Sequence, residues 1–256
     1  MASFAEPWSK RHKAVTKNDR GGLTYNLSNS FAQPTSQKEI EAFAEARGDV
    51  ATLNAYRDHP LGYTPNGGSA DLREAAAELY DECGADDVLV TSGGQVALQH
   101  VCSALLTKRD HAIVFSPGYQ SCQAAPAHSG AAVTKVRLSK DAGWAVDVDA
   151  VEAACRPETK LILLNQPWNP GGALMPRAAF DRLVEVARAR GIWILCDEVY
   201  RLLEHDPADR LPAMADAYER GLSVVALSKP FGAGGCSVGW VACRDAAARQ
   251  KVVDVQ

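Results

Sequence analysis

The chain has 256 residues, 46% of them hydrophobic and 23% charged, with a formal net charge of −4. This composition is typical of a globular protein with a sizeable core, and the slight negative charge gives no reason to expect a nucleic-acid partner. Residues 1–20 contain no apolar core of signal-peptide length, and no apolar run approaches the roughly 18 residues of a membrane helix. We therefore expect neither a secretory signal nor a membrane partner.

Short apolar runs with the character of strands recur along the chain after a polar N-terminal segment. The predicted strands are 88–91, 111–115, 132–137, 160–165, 192–196, 223–227 and 238–243. Most of them are continuous apolar runs, which is typical of strands that are buried on both faces.

Helical patterns lie between several of these strands. The segment 71–80 carries an apolar stripe, and we predict Asp71 as its N-cap. A second helix is predicted over 177–190, with Pro176 near its first turn and Gly191 at its end. Alternation of strands and helices predicts an α/β fold, with three α/β/α layers around a mostly parallel sheet.

The cysteines give information about the compartment. There are seven, an odd number, and no two are spaced as Cys-x-x-Cys. Several lie inside apolar segments, so we predict buried, reduced thiols, a cytoplasmic location and no metal site.

Polar or aromatic residues follow five of the predicted strands. In an open α/β sheet, ligands bind at the carboxyl ends of the strands, so five such groups at one edge predict a single site. The groups are Ser92-Gly93-Gly94-Gln95, Ser116-Pro117-Gly118-Tyr119, Asn165-Gln166-Pro167-Trp168-Asn169-Pro170-Gly171-Gly172, Asp197-Glu198-Val199-Tyr200 and Ser228-Lys229.

The first group is a candidate anion site. Gly93, Gly94 and Gln95 precede an apolar helix, and free amides at a helix start bind phosphate. A tight strand-to-helix turn with no ligand would use the same residues.

Lys229 and Asp197 are candidates for cofactor chemistry. Lys229 stands between an apolar run and a glycine-rich turn, where a lysine can carry a cofactor as an imine. Asp197 ends a buried strand and needs a partner, which is either a protonated pyridine nitrogen or the first amides of a helix. Asn169 and Tyr200 can donate to a phenolate oxygen on such a ring, and Tyr119 can stack on it, although each alone is equally at home in a turn or a core.

One motif is typical of a different class of enzyme. The segment Gly235-Cys236-Ser237-Val238-Gly239 matches the Gly-x-Ser-x-Gly elbow of the α/β-hydrolases. That elbow joins a strand to a following helix and needs a later histidine, whereas here a strand-like run follows and no histidine does. We therefore reject a serine hydrolase.

Taken in order, the motifs resemble the fold-type I aminotransferases of class I/II, which depend on pyridoxal 5′-phosphate (PLP). The resemblance spans roughly residues 23–243. The segments that carry it are Leu61-Gly62-Tyr63-Thr64-Pro65-Asn66-Gly67-Gly68 with Leu72-Arg73, Val90-Thr91-Ser92-Gly93-Gly94-Gln95, Asn165 to Gly172, Cys196-Asp197-Glu198-Val199-Tyr200 and Leu227-Ser228-Lys229.

The resemblance implies a role for each candidate residue. The catalytic residues would be Lys229, which binds PLP covalently and moves the proton, Asp197, which pairs with the pyridine nitrogen, and Tyr200. Further cofactor contacts would come from Gly93, Gly94, Gln95, Tyr119, Asn169, Ser228 and Ser237. Tyr63 would reach the phosphate of a neighbouring subunit, which implies a homodimer.

The chain departs from the family's pattern in three places. Ala226, three residues before the lysine, stands where the family often has a hydroxyl residue that contacts the phosphate. Ser237 stands where the family has an arginine that grips the phosphate. Family members also continue through a smaller C-terminal domain, for which we find no matching segment. We expect an N-terminal segment and arm over 1–60, a PLP-binding large domain over 61–256, and no C-terminal small domain.

The function that the resemblance implies is transamination between an amino acid and a 2-oxo acid, in amino acid metabolism and biosynthesis. A PLP-dependent lyase, such as an enzyme similar to aminocyclopropane-carboxylate synthase, would carry the same motifs. A third hypothesis is a non-catalytic PLP-binding remnant, which Ser237 and the missing domain suggest.

Overall fold

Seven strands form one sheet in the computed structural model, which describes residues 30–256. The strands lie in the order β1-β7-β6-β5-β4-β2-β3, and only β7 runs against the others. Their bounds are β1 Val88–Thr91, β2 His111–Ser116, β3 Ala132–Arg137, β4 Thr159–Asn165, β5 Trp193–Asp197, β6 Gly221–Ala226 and β7 Gly239–Ala242. The predicted mostly parallel sheet is confirmed.

Helices cover both faces of this sheet. They are α1 Gln37–Arg47, α2 Val50–Arg57, α3 Ala70–Ala77, α4 Gly94–Leu105, α5 Gln120–His128, α6 Val148–Ala154, α7 Arg177–Arg190, α8 Met214–Ala217 and α9 Ala246–Val253. One face packs against α4, α5 and α9, and the opposite face packs against α3, α6, α7 and α8. The three predicted layers are confirmed.

The central strands show why hydrophobic and polar residues do not alternate along them. In β4, Leu161 and Leu163 point into the core beneath α4 and α5, whereas Ile162 and Leu164 point into the core beneath α6 and α7. All four side chains are almost completely buried. A strand with helices on both faces needs apolar residues at every position, so a continuous apolar run results.

Two helix predictions have different outcomes. The helix over 177–190 is confirmed, and it ends at Gly191, whose φ of 64° is left-handed. The N-cap of α3 is Ser69 and not Asp71, so that prediction is wrong. The Ser69 hydroxyl accepts a hydrogen bond from the Leu72 amide, which places Asp71 inside the first turn.

A boundary shift at β5 matters for the site. The strand includes Asp197, which pairs with Val224 of β6, whereas the prediction ended it at Cys196. Strand pairing therefore holds the backbone of Asp197 in place.

The start of the described chain packs differently from the sheet domain. No residue of α1 is buried, and Leu53 is the one buried residue of α2. Large apolar side chains are exposed along this stretch, most of all Leu61 and Tyr63. Within residues 30–256, no helix has both the length and the apolar character needed to cross a membrane.

Candidate functional site

A cavity of about 570 Å³ opens at the carboxyl ends of the strands. Every predicted site residue except Tyr63 lines it. These are Gly93, Gly94, Gln95, Tyr119, Asn169, Asp197, Tyr200, Ser228, Lys229 and Ser237. Tyr63 is fully exposed and lies outside this cavity.

One end of the cavity is made of backbone. The chain turns from β1 into α4 at Ser92 and Gly93, and the φ of Gly93 is +91°, which favours glycine. No side chain from the described part of the chain caps the start of α4. Its first amides and the positive end of its dipole therefore remain available for an anion.

Strand β7 approaches this turn very closely. A Cβ atom on Gly239 would lie 2.7 Å from the carbonyl carbon of Gly93 and 2.8 Å from the Gly94 nitrogen. Glycine is therefore required at 239 for the turn to keep its position. The sequence placed Gly239 in a predicted strand and in the rejected hydrolase motif, and neither revealed this role.

Ser237 lines the same end of the cavity, just before β7. It has a left-handed backbone, with a φ of 52°, and follows the short 3-10 turn Gly234–Cys236. A strand and not a helix follows this serine, which agrees with the rejection of a hydrolase elbow.

The other end of the cavity contains a buried acid. Asp197 is 3% exposed, and its Oδ2 accepts a hydrogen bond from the thiol of Cys122 at 3.2 Å. Its Oδ1 accepts from the amide of Val199 at 3.3 Å. Burial raises the pKa of Asp197 to about 6, against the opposing effects of these two donors and the charge of Lys229.

A chain of hydrogen bonds runs from Asp197 to the mouth of the cavity. The Asn165 side chain donates to the Asp197 carbonyl at 2.9 Å and accepts from the Asn169 amide at 2.8 Å. The side-chain Nδ2 of Asn169 donates to the Tyr200 hydroxyl at 3.3 Å. That hydroxyl lies 3.0 Å from the Ser30 hydroxyl. Asn165 therefore positions both Asp197 and Asn169, a role that the sequence did not reveal.

Lys229 follows β6 and enters the cavity beside this chain. Its Nζ lies 3.5 Å from the Ser30 hydroxyl and 5.4 Å from the centre of the Tyr200 ring. The loop after it is held by the N-terminal segment, since the Thr35 amide donates to the Gly232 carbonyl at 3.0 Å. Residues near the start of the described chain therefore help to build the site.

The Gln95 side chain has a structural role that its position in the turn did not suggest. Its side-chain amide donates to the Tyr119 hydroxyl at 2.8 Å and to the Ser121 hydroxyl at 2.9 Å. These bonds connect the start of α4 to the start of α5 and fix the Tyr119 ring at the cavity wall.

Comparison with known proteins identifies the family. The family model described as aminotransferase class I and II matches residues 26–256. The chain belongs to the class I and II aminotransferases. Membership of this family implies PLP as the cofactor.

Individual relatives agree with this assignment. An arginine–pyruvate transaminase of Pseudomonas aeruginosa is 36% identical over 246 residues, which are 93% of this chain and 60% of that protein. A probable N-succinyldiaminopimelate aminotransferase of Mycobacterium tuberculosis is 32% identical over 213 residues, or 78% of this chain and 54% of that protein. The chain thus spans little more than half the length of these curated relatives.

A solved structure shows the same fold. A PLP-dependent aminotransferase from Streptococcus suis aligns with a TM-score of 0.79 at 28% identity, over 88% of this chain and 59% of that one. The aminotransferase fold expected from the sequence is confirmed.

The residues of the cavity fit PLP. The uncapped start of α4 suits its phosphate, and the desolvated carboxyl of Asp197 suits a cationic ring nitrogen. Asn169 and Tyr200 lie together at one wall, where they suit the ring oxygen, and the Lys229 amine enters the same space.

Proposed function

We propose that this chain forms the cofactor-binding part of an aminotransferase that transfers an amino group between an amino acid and a 2-oxo acid. The observation that carries the proposal is the arrangement of Asp197 and Lys229 in one cavity, with the uncapped start of α4 at its other end. A buried acid, an amine and an anion site in one cavity match the three functional ends of PLP.

Each residue has a part in this chemistry. Bound PLP supplies an electron sink for the charge that develops at the α-carbon of the substrate. Asp197 would hold the ring nitrogen in its protonated form. Lys229 would hold the cofactor through Nζ and, once that nitrogen is released by the incoming amino acid and is neutral, would take the α-proton and return it.

The remaining residues orient the cofactor. Asn169 and Tyr200 would donate to the ring oxygen, and Tyr119 would supply an aromatic face for the ring. The amides of Gly94 and Gln95, with the hydroxyls of Ser228 and Ser237, would hold the phosphate. The Gly93 amide already donates to the Thr91 carbonyl at 2.7 Å, so Gly93 would shape the turn.

The phosphate end is unusual in its charge. Among the described residues that line the cavity, Lys229 alone has a cationic side chain, and Ser237 stands where the family pattern has an arginine. Hydroxyl and amide donors can bind a phosphate, but they are uncharged and do not neutralise its negative charge. We infer that cofactor affinity here is lower than an arginine would give.

We also propose a homodimer, with a large domain over 61–256 and an N-terminal arm over 1–60. The exposed side chains of Leu61 and Tyr63 support this, because a second subunit would cover them. In this arrangement Tyr63 contacts the phosphate in the neighbouring subunit. The contact of Ser30 with Lys229 makes the arm part of the site as well as of the interface.

A cytoplasmic location is part of the proposal. All seven cysteines are free thiols, which fits a reducing compartment.

Absorbance of the purified chain with added PLP tests the proposal. We expect a new band near the visible edge that Lys229→Ala abolishes. The control is Lys251→Ala, because Lys251 is an exposed residue of α9 that does not line the cavity. A chain that gives no band at saturating PLP would contradict the proposal.

Product analysis then separates transamination from elimination. We expect a 2-oxo acid to form from the amino acid substrate without release of ammonia. Ammonia in amounts equal to the oxo acid would contradict transamination and favour a lyase.

A further inference from the structure

Cys122 is a buried thiol that the roles above leave unused. It lies on α5, is 6% exposed, and donates through Sγ to Oδ2 of Asp197 at 3.2 Å. The Val199 amide donates to the other oxygen of the same carboxyl. One donor on each oxygen fixes the plane of the carboxylate.

The thiol remains protonated because of its surroundings. Burial, followed by the charge of Asp197, raises the pKa of Cys122 well above its usual value. A thiol is a weak donor in water, but a hydrogen bond to a charged acceptor is stronger in a desolvated interior. Cys122 is therefore a permanent donor to Asp197 throughout the neutral pH range.

Within residues 30–256, few other groups favour the charged form of Asp197. The titratable neighbours from the surrounding elements are Lys229, Tyr200 and Cys196, and of these only Lys229 brings a positive charge. In the proposed reaction Lys229 must become neutral to take a proton. At that stage Cys122 and the Val199 amide are the donors that the described part of the chain itself supplies to the carboxylate.

We propose that Cys122 is a positioning residue that keeps Asp197 ionised and aimed at the cofactor's ring nitrogen. This inference rests on the function proposed above. The thiol acts through Asp197 and does not itself contact the substrate.

Cofactor binding in a set of variants tests this role. Cys122→Ala removes the donor, and Cys122→Ser keeps one on a shorter side chain. Cys102→Ala is the matched control, because Cys102 is a buried cysteine of α4 whose thiol has no hydrogen bond to Asp197. PLP affinity is measured by absorbance titration across a range of pH.

We expect Cys122→Ala to weaken PLP binding about fivefold at neutral pH relative to Cys102→Ala, because a donor to a charged acceptor is lost. Loss of that donor favours the neutral carboxyl. The pH below which binding fails should therefore rise, by about 0.7 unit for a fivefold effect. Cys122→Ser should return both values toward those of the wild type. Equal affinity and an unchanged pH profile for Cys122→Ala and Cys102→Ala would overturn the proposal.

The infrared S–H stretching band tests the contact without cofactor. The band of Cys122 is identified as the one lost in Cys122→Ala. We expect it at a lower frequency than that of a free thiol, and it should move to higher frequency in Asp197→Asn. A band at the free-thiol frequency in the wild type would overturn the proposal.

The two measurements also separate the proposals from each other. A wild-type chain that binds no PLP would refute the proposed function and the cofactor part of this inference. The S–H band would still decide whether the thiol holds the Asp197 carboxylate.

Discussion

The two ends of the candidate site are built on different principles. At one end, Asp197 is held by buried side chains that reach it from other elements, namely Cys122 and Asn165. At the other end, the turn around Gly93 offers backbone amides and is shaped by the close approach of Gly239. The electronic end therefore depends on side-chain chemistry, whereas the phosphate end depends on space for the backbone.

Asp197→Asn tests the side-chain end and should have the largest effect. Without cofactor, the folded-state pKa of about 6 lies above the ordinary Asp value of 3.8. The unfolded state therefore loses its proton first, and the free energy of unfolding falls as pH rises from about 4 to 6. At pH 7 this costs the wild type about 2–3 kcal/mol, which Asp197→Asn should recover.

Urea unfolding at pH 4 to 8 measures this difference, and taking wild type minus variant removes the similar contribution of buried Glu198, whose pKa is raised to about 7. With PLP present, the wild type should become more stable than Asp197→Asn at pH 7, because the carboxylate gains its cationic partner. Parallel stability curves for the two proteins, with or without PLP, would show that Asp197 is not desolvated as described.

Gly239→Ala tests the backbone end. The added methyl group would overlap the backbone of Gly93, so we expect a loss of about 1–3 kcal/mol in the free energy of unfolding. PLP affinity should fall at least as steeply, because the displaced turn carries the anion-binding amides. Gly235→Ala is the control, since a Cβ there meets no atom within 4 Å. Equal effects of the two substitutions would contradict the proposed packing constraint.

Ser237→Arg tests the charge at the phosphate end and should have the smallest effect. It adds a cation to an end that now offers only neutral donors from the described chain, so PLP binding should tighten several-fold. Ser237→Ala is the matched control, because both variants bear the cost of a left-handed residue with a Cβ. Unchanged or weaker binding in the arginine variant, by equilibrium titration, would show that the phosphate lies elsewhere.

The sequence predicted the residues that line the site better than the residues that hold them in place. Asp197 and Lys229 could be placed together because parallel strands bring their carboxyl ends to one edge, whatever the register. The thiol of Cys122 could not be assigned to Asp197, because the contact joins residues 75 positions apart and depends on how α5 lies on the sheet. The role of Gly239 likewise depends on the pairing of β7 with β1.

Local chemistry also misled the prediction at one helix. Asp71 and Ser69 are both good N-cap residues, and the choice between them is made by the chain entering α3. That entry depends on Gly68, where a Cβ would meet the Val90 side chain of β1 at 2.5 Å. The chain just before Ser69 is thus constrained by a tertiary contact that the local pattern does not contain.

The contact between the N-terminal segment and the lysine loop has a consequence for synthesis on the ribosome. The Thr35 hydroxyl bonds to the Phe231 carbonyl, 196 positions further along the chain. At ordinary elongation rates of roughly 5–20 residues per second, the second partner is made about 10–40 s after the first. The nascent chain therefore carries this segment without its binding surface until nearly all of the sheet has been translated, and this contact can form only after that point.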